Sequence, residues 1–419
     1  MGLFNSIPKR IKELHFSKDL STLFNSARIR SDFPYTIFYL GNTTCYKAEP
    51  ASDLPFYFLV TKENEVHALT YDISVPMSHH SLQIEEEVIH VAKLQNSIHA
   101  LTLKSGKIAV ITNYADKFER KDYFVKNAYI SLPLDETQFL SVGTDYSIVR
   151  VPFSGEISYA MQPIRNISEP PIDALVVPTN PQLVALISDK ILIVCSLGHY
   201  GVTTYPNLGE GFVKLGVINP NSLLVLADKG KCIYFIKLTI EGKLEGEKTK
   251  IPPSGFPEPM TMFETHDRTF SDPPMKGNVS LAYLCNGKSI TCIDSNMFFM
   301  QYQLPEDKTA THIFQLNSIP HNILLVACND GSVILIRLSQ DRGANTVGSF
   351  YHYELQNLHN APIKYIHSAI PIMFMTIDEN NKTVAWESFP NWWWAPNYFD
   401  MFKGVINEGE SNDSMADTV

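Results

Sequence analysis

The chain has 419 residues, a hydrophobic fraction of 44% and a formal charge of −10. That is enough apolar material for a large core, and an acidic body argues against nucleic acid as the main partner. Without a run of about 18 apolar residues, the chain offers no membrane-spanning helix.

The first residues are not a secretory leader, because Pro8, Lys9, Arg10 and Lys12 interrupt any apolar stretch. Residues 1–30 carry +4, which leaves −14 for the rest. Met1-Gly2-Leu3-Phe4-Asn5-Ser6 fits the pattern for N-myristoylation, with Gly2 as the acceptor. One acyl chain holds a bilayer marginally, and Lys9, Arg10 and Lys12 would supply a second, electrostatic signal. The alternative is a helix docked on the body through Leu3, Phe4, Ile7, Ile11 and Leu14, which recur at helical spacing.

From residue 31 to 388 one pattern recurs. An apolar run, a break marked by Pro or Asn, a second run, a tight polar turn and a third run follow one another. Val217 to Leu238 shows it, and Thr311 to Leu338 repeats it. Turns such as Ser105-Gly106, Asn286-Gly287 and Asp330-Gly331 suit two-residue hairpins, which need positive φ to match strand twist. The third runs end at Tyr71, Tyr114, Phe153, Leu197, Leu238, Asp294, Leu338 and Glu387. A period of about 40–45 residues is that of a four-stranded propeller blade. The expected fold is therefore all-β, a single β-propeller of degenerate WD-type repeats. Only Trp386 sits where the repeat tryptophan belongs. Because a ring closes by joining its chain ends, the first and last units are expected to share a blade; this favours seven blades, with eight as the alternative. Lys243 to Lys276 reads as a long loop between blades. Val184, Val225, Val326 and Ile334 are expected to be buried between blades.

The motifs that would carry catalysis fail on spacing or context. Gly287-Lys288-Ser289 lacks the glycine five residues earlier that a phosphate loop needs, and a strand follows instead of a helix. Gly209, Gly211 and Gly216 miss the dinucleotide fingerprint, since Lys214 stands at the third glycine position. His79-His80 with Glu85, Glu86 and Glu87 reads as a solvated loop between units. The six scattered cysteines read as small buried hydrophobes in a reducing compartment. No cofactor, metal or catalytic residue is expected. A central-channel enzyme, with a site assembled from distant residues, and a subunit of a larger coat are the competing readings.

Beyond the repeats, residues 389–406 are rich in aromatic side chains, among them Trp392, Trp393 and Trp394, and Pro390 and Pro396 exclude a further strand. This segment is expected to pack on the propeller or to contact a partner or a membrane interface. Residues 407–419 read as a disordered acidic tail.

The order of the units resembles the first propeller of the lethal giant larvae/tomosyn family. Phe33-Pro34-Tyr35-Thr36 is similar to that family's entry to its first blade. Ile130 to Val151, Pro170 to Leu197 and Gly277 to Asp294 are similar to its later blades. The resemblance covers residues 30–370. It implies a cytoplasmic, peripherally membrane-associated scaffold in vesicle trafficking and exocytosis, with SNARE-type partners. This sequence shows neither the family's second propeller nor its SNARE-like coil, so contacts from those parts are not carried over.

Overall fold

The computed structural model describes residues 24, 26–46, 56–70, 78–164, 167, 169–177, 182–198, 201–206, 208–219, 221–246, 248–265, 281–294, 299–318, 321–338, 350–370 and 373–387. They form eight four-stranded antiparallel sheets. In seven of them the strands follow chain order from the inner strand outward. These are blade 1 (residues 37–83), blade 2 (88–124), blade 3 (128–161), blade 4 (173–205), blade 5 (214–251), blade 6 (262–303) and blade 7 (310–354). Blade 8 takes three strands from residues 363–387 and its outer strand, Ser26–Arg30, from the other end of the chain.

The reason for the ring lies in the sheets themselves. Successive side chains of a strand point to opposite faces. The second strand of blade 1, FYFLVT, is buried at every position, and so is its counterpart in blade 2, IHALTL. Both faces of each sheet therefore need an apolar neighbour. A cluster of buried residues fills each gap: Phe58, Val60, Leu101 and Ile111 between blades 1 and 2, and Val177, Leu183, Leu223 and Val225 between blades 4 and 5. Blades 8 and 1 meet through Tyr57, Leu59, Met375 and Ile377. Val184, Val225, Val326 and Ile334 all lie in such clusters, at most 2% exposed, as expected.

All eight third-run boundaries fall within a residue of the end of a third strand. The count of seven is corrected to eight. Blade 1 has a third strand of its own, Glu65–Thr70, and the strand shared between the chain ends is Ser26–Arg30, which precedes the first mark. That strand, SARIR, is polar because it lies on the outer edge. It also carries the last residues of the basic N-terminal segment into the propeller.

The reading of Lys243 to Lys276 as one loop is likewise corrected. It contains the outer strand of blade 5, Thr249–Ile251, and the inner strand of blade 6, Met262–Thr265. Both are too short to give a periodic signal. The expected turns have the required geometry, with φ of +83° at Gly106, +90° at Gly287 and +86° at Gly331. At Gly331 a side chain would also meet the Cβ of His359 at 2.8 Å, so this turn tolerates only glycine.

The register of the closing pair sets Ser26 against Glu387, Arg28 against Ala385 and Arg30 against Thr383. Arg28→Cys with Ala385→Cys should oxidise to a disulfide, because directly paired strand residues lie within disulfide reach. Arg28→Cys with Thr383→Cys should not. The matched link should raise stability in urea by up to about 5 kcal/mol, since it closes a loop of nearly the whole propeller. Equal cross-linking of both pairs would refute the register.

Candidate interaction surface

Each inner strand begins where the preceding outer strand ends, so all eight inner strands start on one face of the ring. The turns between second and third strands reach the same side. We call it the entry face. Its turns are stiffened by short polar side chains that accept from the backbone two or three residues on. The Asp145 carboxylate accepts from the Ser147 N–H at 3.2 Å and its hydroxyl at 2.7 Å; Asp330 accepts from Ser332 at 3.0 and 2.6 Å. Asn286 does the same for Lys288 and Ser289, at 2.9 and 2.7 Å. Gly287-Lys288-Ser289 is thus a hairpin turn followed by a strand, as expected.

Two polar networks tie these turns to the inner strands. In blade 8, His359 contacts Asp378 through Nδ1 at 3.1 Å and Thr376 through Nε2 at 2.7 Å. The Trp386 indole donates to the same Thr376 hydroxyl at 3.1 Å. The repeat tryptophan marked in the sequence is therefore anchored, and His359, which carries no local motif, completes the network. In blade 7 a lysine occupies the comparable place. Lys308 Nζ donates to Asp330 at 2.8 Å, Ser332 at 2.8 Å and Glu354 at 2.7 Å. Burial works against its charge, but the two carboxylates outweigh that and raise its pKa above the ordinary lysine range. Partial burial works to raise the Asp330 carboxyl, and Lys308 and Ser332 together hold it below its usual value.

On this polar frame stand exposed apolar side chains. Phe38, Ile172 and Val213, at or beside the start of the inner strands of blades 1, 4 and 5, are 43%, 48% and 41% exposed. Phe124, at the end of the outer strand of blade 2, is 77% exposed. Ile172 and Val213 are held together by Asp173, whose carboxylate accepts the Leu215 N–H at 2.8 Å. Tyr159, Val202 and Ile240, at the opposite ends of blades 3, 4 and 5, are exposed to a similar degree, so both rims carry apolar groups. On the entry face they stand beside the polar networks, and apolar groups on a polar frame are what a binding surface offers a partner.

The histidines follow a different logic. His79 and His80 lie on the outer strand Ser78–Gln83 of blade 1, which corrects their reading as a loop. Their ring nitrogens contact the Ala115 carbonyl and Asn113 Oδ1, both at 2.7 Å, in blade 2. Glu86 and Glu87 bind Lys107 and Lys104. These residues join blades and do not converge. Nearer the axis, burial lowers His90 to about 4, and burial with the Lys93 charge lowers His367 to about 3. His99, fully buried, stacks on Phe58 with centroids 3.8 Å apart.

Among the described residues no group of three His, Cys, Asp or Glu side chains is placed to hold a metal ion, and no helix is long and apolar enough to cross a membrane. All six cysteines are free and buried. Gly2, Lys9, Arg10, Lys12, Trp392, Trp393 and Trp394 lie outside the described residues.

No family model and no curated protein matches the chain. Solved structures do. The propeller YCF48 bound to a D1 peptide is similar at 10% identity with a TM-score of 0.50, covering 87% of this chain and 97% of that one. BamB from Moraxella catarrhalis is similar at 9% identity with a TM-score of 0.46, covering 87% and 97%. The likeness is one of fold: the chain is a β-propeller.

Thr376→Val should strand both the Trp386 indole and the His359 ring, and so cost about 1–3 kcal/mol in urea unfolding. An unchanged midpoint would mean the network holds nothing. Stability should also fall with acid. His90 and His367 stay neutral in the fold below the pH at which they protonate when unfolded. The unfolded chain therefore binds more protons, and their contribution is complete above about pH 6.5 and lost as pH falls toward 4. For His90 the loss is on the order of 3 kcal/mol. Asp173, whose carboxyl is raised by burial, works the other way. His90→Phe should flatten the profile in that window; a profile unchanged by the substitution would remove His90 as its source.

Proposed function

We propose that this chain is a non-catalytic protein-interaction scaffold whose partners dock on the entry face. The exposed Phe38, Phe124, Ile172 and Val213 carry this reading. The similar propeller YCF48 holds a peptide, which supports peptide or protein ligands here too. The finer reading, from the family resemblance of Phe33 to Thr36 and of the later units, is a cytoplasmic role in vesicle trafficking and exocytosis with SNARE-type partners. Phe33, which opens that stretch, is buried among the residues between blades 8 and 1. Affinity capture with the full-length chain, followed by mass spectrometry and by binding of recombinant SNARE proteins, tests both levels. Val213→Asp and Phe38→Asp should each reduce capture about tenfold or more, the effect of losing a central apolar contact. Capture that survives both substitutions would defeat the entry-face reading. SNARE proteins that fail to bind would defeat the finer one.

A second reading, peripheral membrane contact, is favoured by one observation. Because Ser26 pairs with Glu387, the basic N-terminal segment enters the propeller and the aromatic segment leaves it side by side, on the face opposite the entry face. Both would then reach the same bilayer. Each basic residue near an anionic surface contributes about 1 kcal/mol. Replacing Lys9, Arg10 and Lys12 by Glu should lower binding to phosphatidylserine-containing vesicles by about 100-fold or more, in a salt-dependent way. Trp392, Trp393 and Trp394 changed to Ala should weaken it without altering the salt dependence. Gly2→Ala should release the protein from cell membranes if Gly2 is acylated. Wild-type protein that ignores such vesicles would end this reading.

A further inference from the structure

One sector of the entry face differs from the rest in chemistry. Phe38 begins it in blade 1 and Phe124 ends it in blade 2, and the contacts between them are continuous. Thr36, two residues before Phe38, donates to Glu63. Gln83 donates to the Glu63 carbonyl at 3.2 Å, which lays the strap from blade 1 to blade 2 beside that turn. The strap is Ile84-Glu85-Glu86-Glu87, with Ile84 buried and Glu85 and Glu87 exposed. Glu86 binds Lys107 at 2.9 Å, and the Lys107 ammonium lies 5.5 Å from the centre of the Phe124 ring. A path of surface thus runs from one exposed aromatic ring to the other, with the acidic strap as its middle.

The charges along that path do not cancel. Lys104 and Lys107 are engaged by Glu87 and Glu86, and Arg120 by Asp122 at 2.7 Å. Glu65 lies against the His67 ring at 3.2 Å, and Glu85 faces Arg120, whose guanidinium Asp122 already holds. Six carboxylates (Glu63, Glu65, Glu85, Glu86, Glu87 and Asp122) then stand against four cations (Lys62, Lys104, Lys107 and Arg120). The excess sits between the two rings. The Phe124 ring, with its electron-rich face and its exposure of 77%, can receive either an apolar side chain or another cation.

We propose that this sector binds a basic amphipathic segment of a partner protein, whose apolar side chains cover Phe38 and Phe124 and whose lysines or arginines meet Glu63 and Glu85. The proposal rests on the entry face being the binding surface and names the partner class for it. The sector offers apolar anchors at both ends and negative charge between them, the complement of an amphipathic helix with a basic flank. An acidic partner would meet like charge on the strap.

The test uses the full chain and two amidated amphipathic peptides of equal length and apolar content, one of leucine and lysine, the other of leucine and glutamate. Fluorescence anisotropy should show binding of the lysine peptide and little of the glutamate peptide. Phe124→Ser, at an exposed site that the fold does not need, should weaken binding about tenfold. Glu63→Lys with Glu85→Lys should weaken it and abolish its dependence on salt. Thermal unfolding of each variant, unchanged from wild type, shows that the fold is intact. Equal binding of the two peptides, absence of binding, or binding indifferent to both variants would overturn the proposal. If Val213→Asp still abolished partner capture, the entry-face reading would stand without it.

Discussion

A sheet that is apolar on both sides has no stable place in water except between two others. That constraint governs this molecule. The second strands of blades 1, 2, 4, 5 and 8 are wholly buried, and each gap between blades is filled from both of its walls. The requirement passes from one blade to the next and ends only when the last blade meets the first. A linear stack would leave two apolar faces in water; a ring leaves none. Burial of an aliphatic side chain contributes roughly 1.5–3 kcal/mol, so each interface is a strong local bond, and the ring geometry follows from their sum.

Much of this was legible because the constraint writes itself into the chain. The second and third strands carry apolar runs, and Ser222 to Ala227 or Ile323 to Cys328 stands out without any structure. The outer strands are a different case. SHHSLQ in blade 1 and FERKDYF in blade 2 face water and look like loops. The closing strand, SARIR, shares that polarity, so the apolar runs alone favour seven blades over eight: the residues that close the ring are those with the least apolar character. The candidate site was less legible still. Phe38, Ile172 and Val213 flank apolar runs, and no motif marks them out. Their exposure follows from standing at the rim, where an inner strand begins and no neighbour covers them. His359 has no motif around it, and only the fold brings it to Trp386.

The two faces of the ring are built differently. On the entry face, aspartate and asparagine turns and the networks of His359 and Lys308 fix the backbone, so that exposed apolar groups are presented from a rigid rim. A rigid rim lowers the ordering cost that a partner must overcome. The opposite face is where both ends of the chain join the ring. Attachment through those ends would leave the entry face free, so the two readings of function are compatible in space.

The seam of blade 8 also has a meaning in time. Arg30 is made early, and its partner Thr383 some 350 residues later. At ordinary rates of synthesis of 5–20 residues per second, the interval is about 20–70 s. Throughout it the seven preceding sheets can assemble, but blade 1 lacks one neighbour and Ser26–Arg30 has no sheet to join. The growing chain therefore carries an open apolar wall and a loose strand edge until its last blade emerges, and unpaired edges of this kind are where neighbouring nascent chains stick to each other. The polar character of SARIR, which hides the strand from a reader of the sequence, is then what keeps it soluble while it waits.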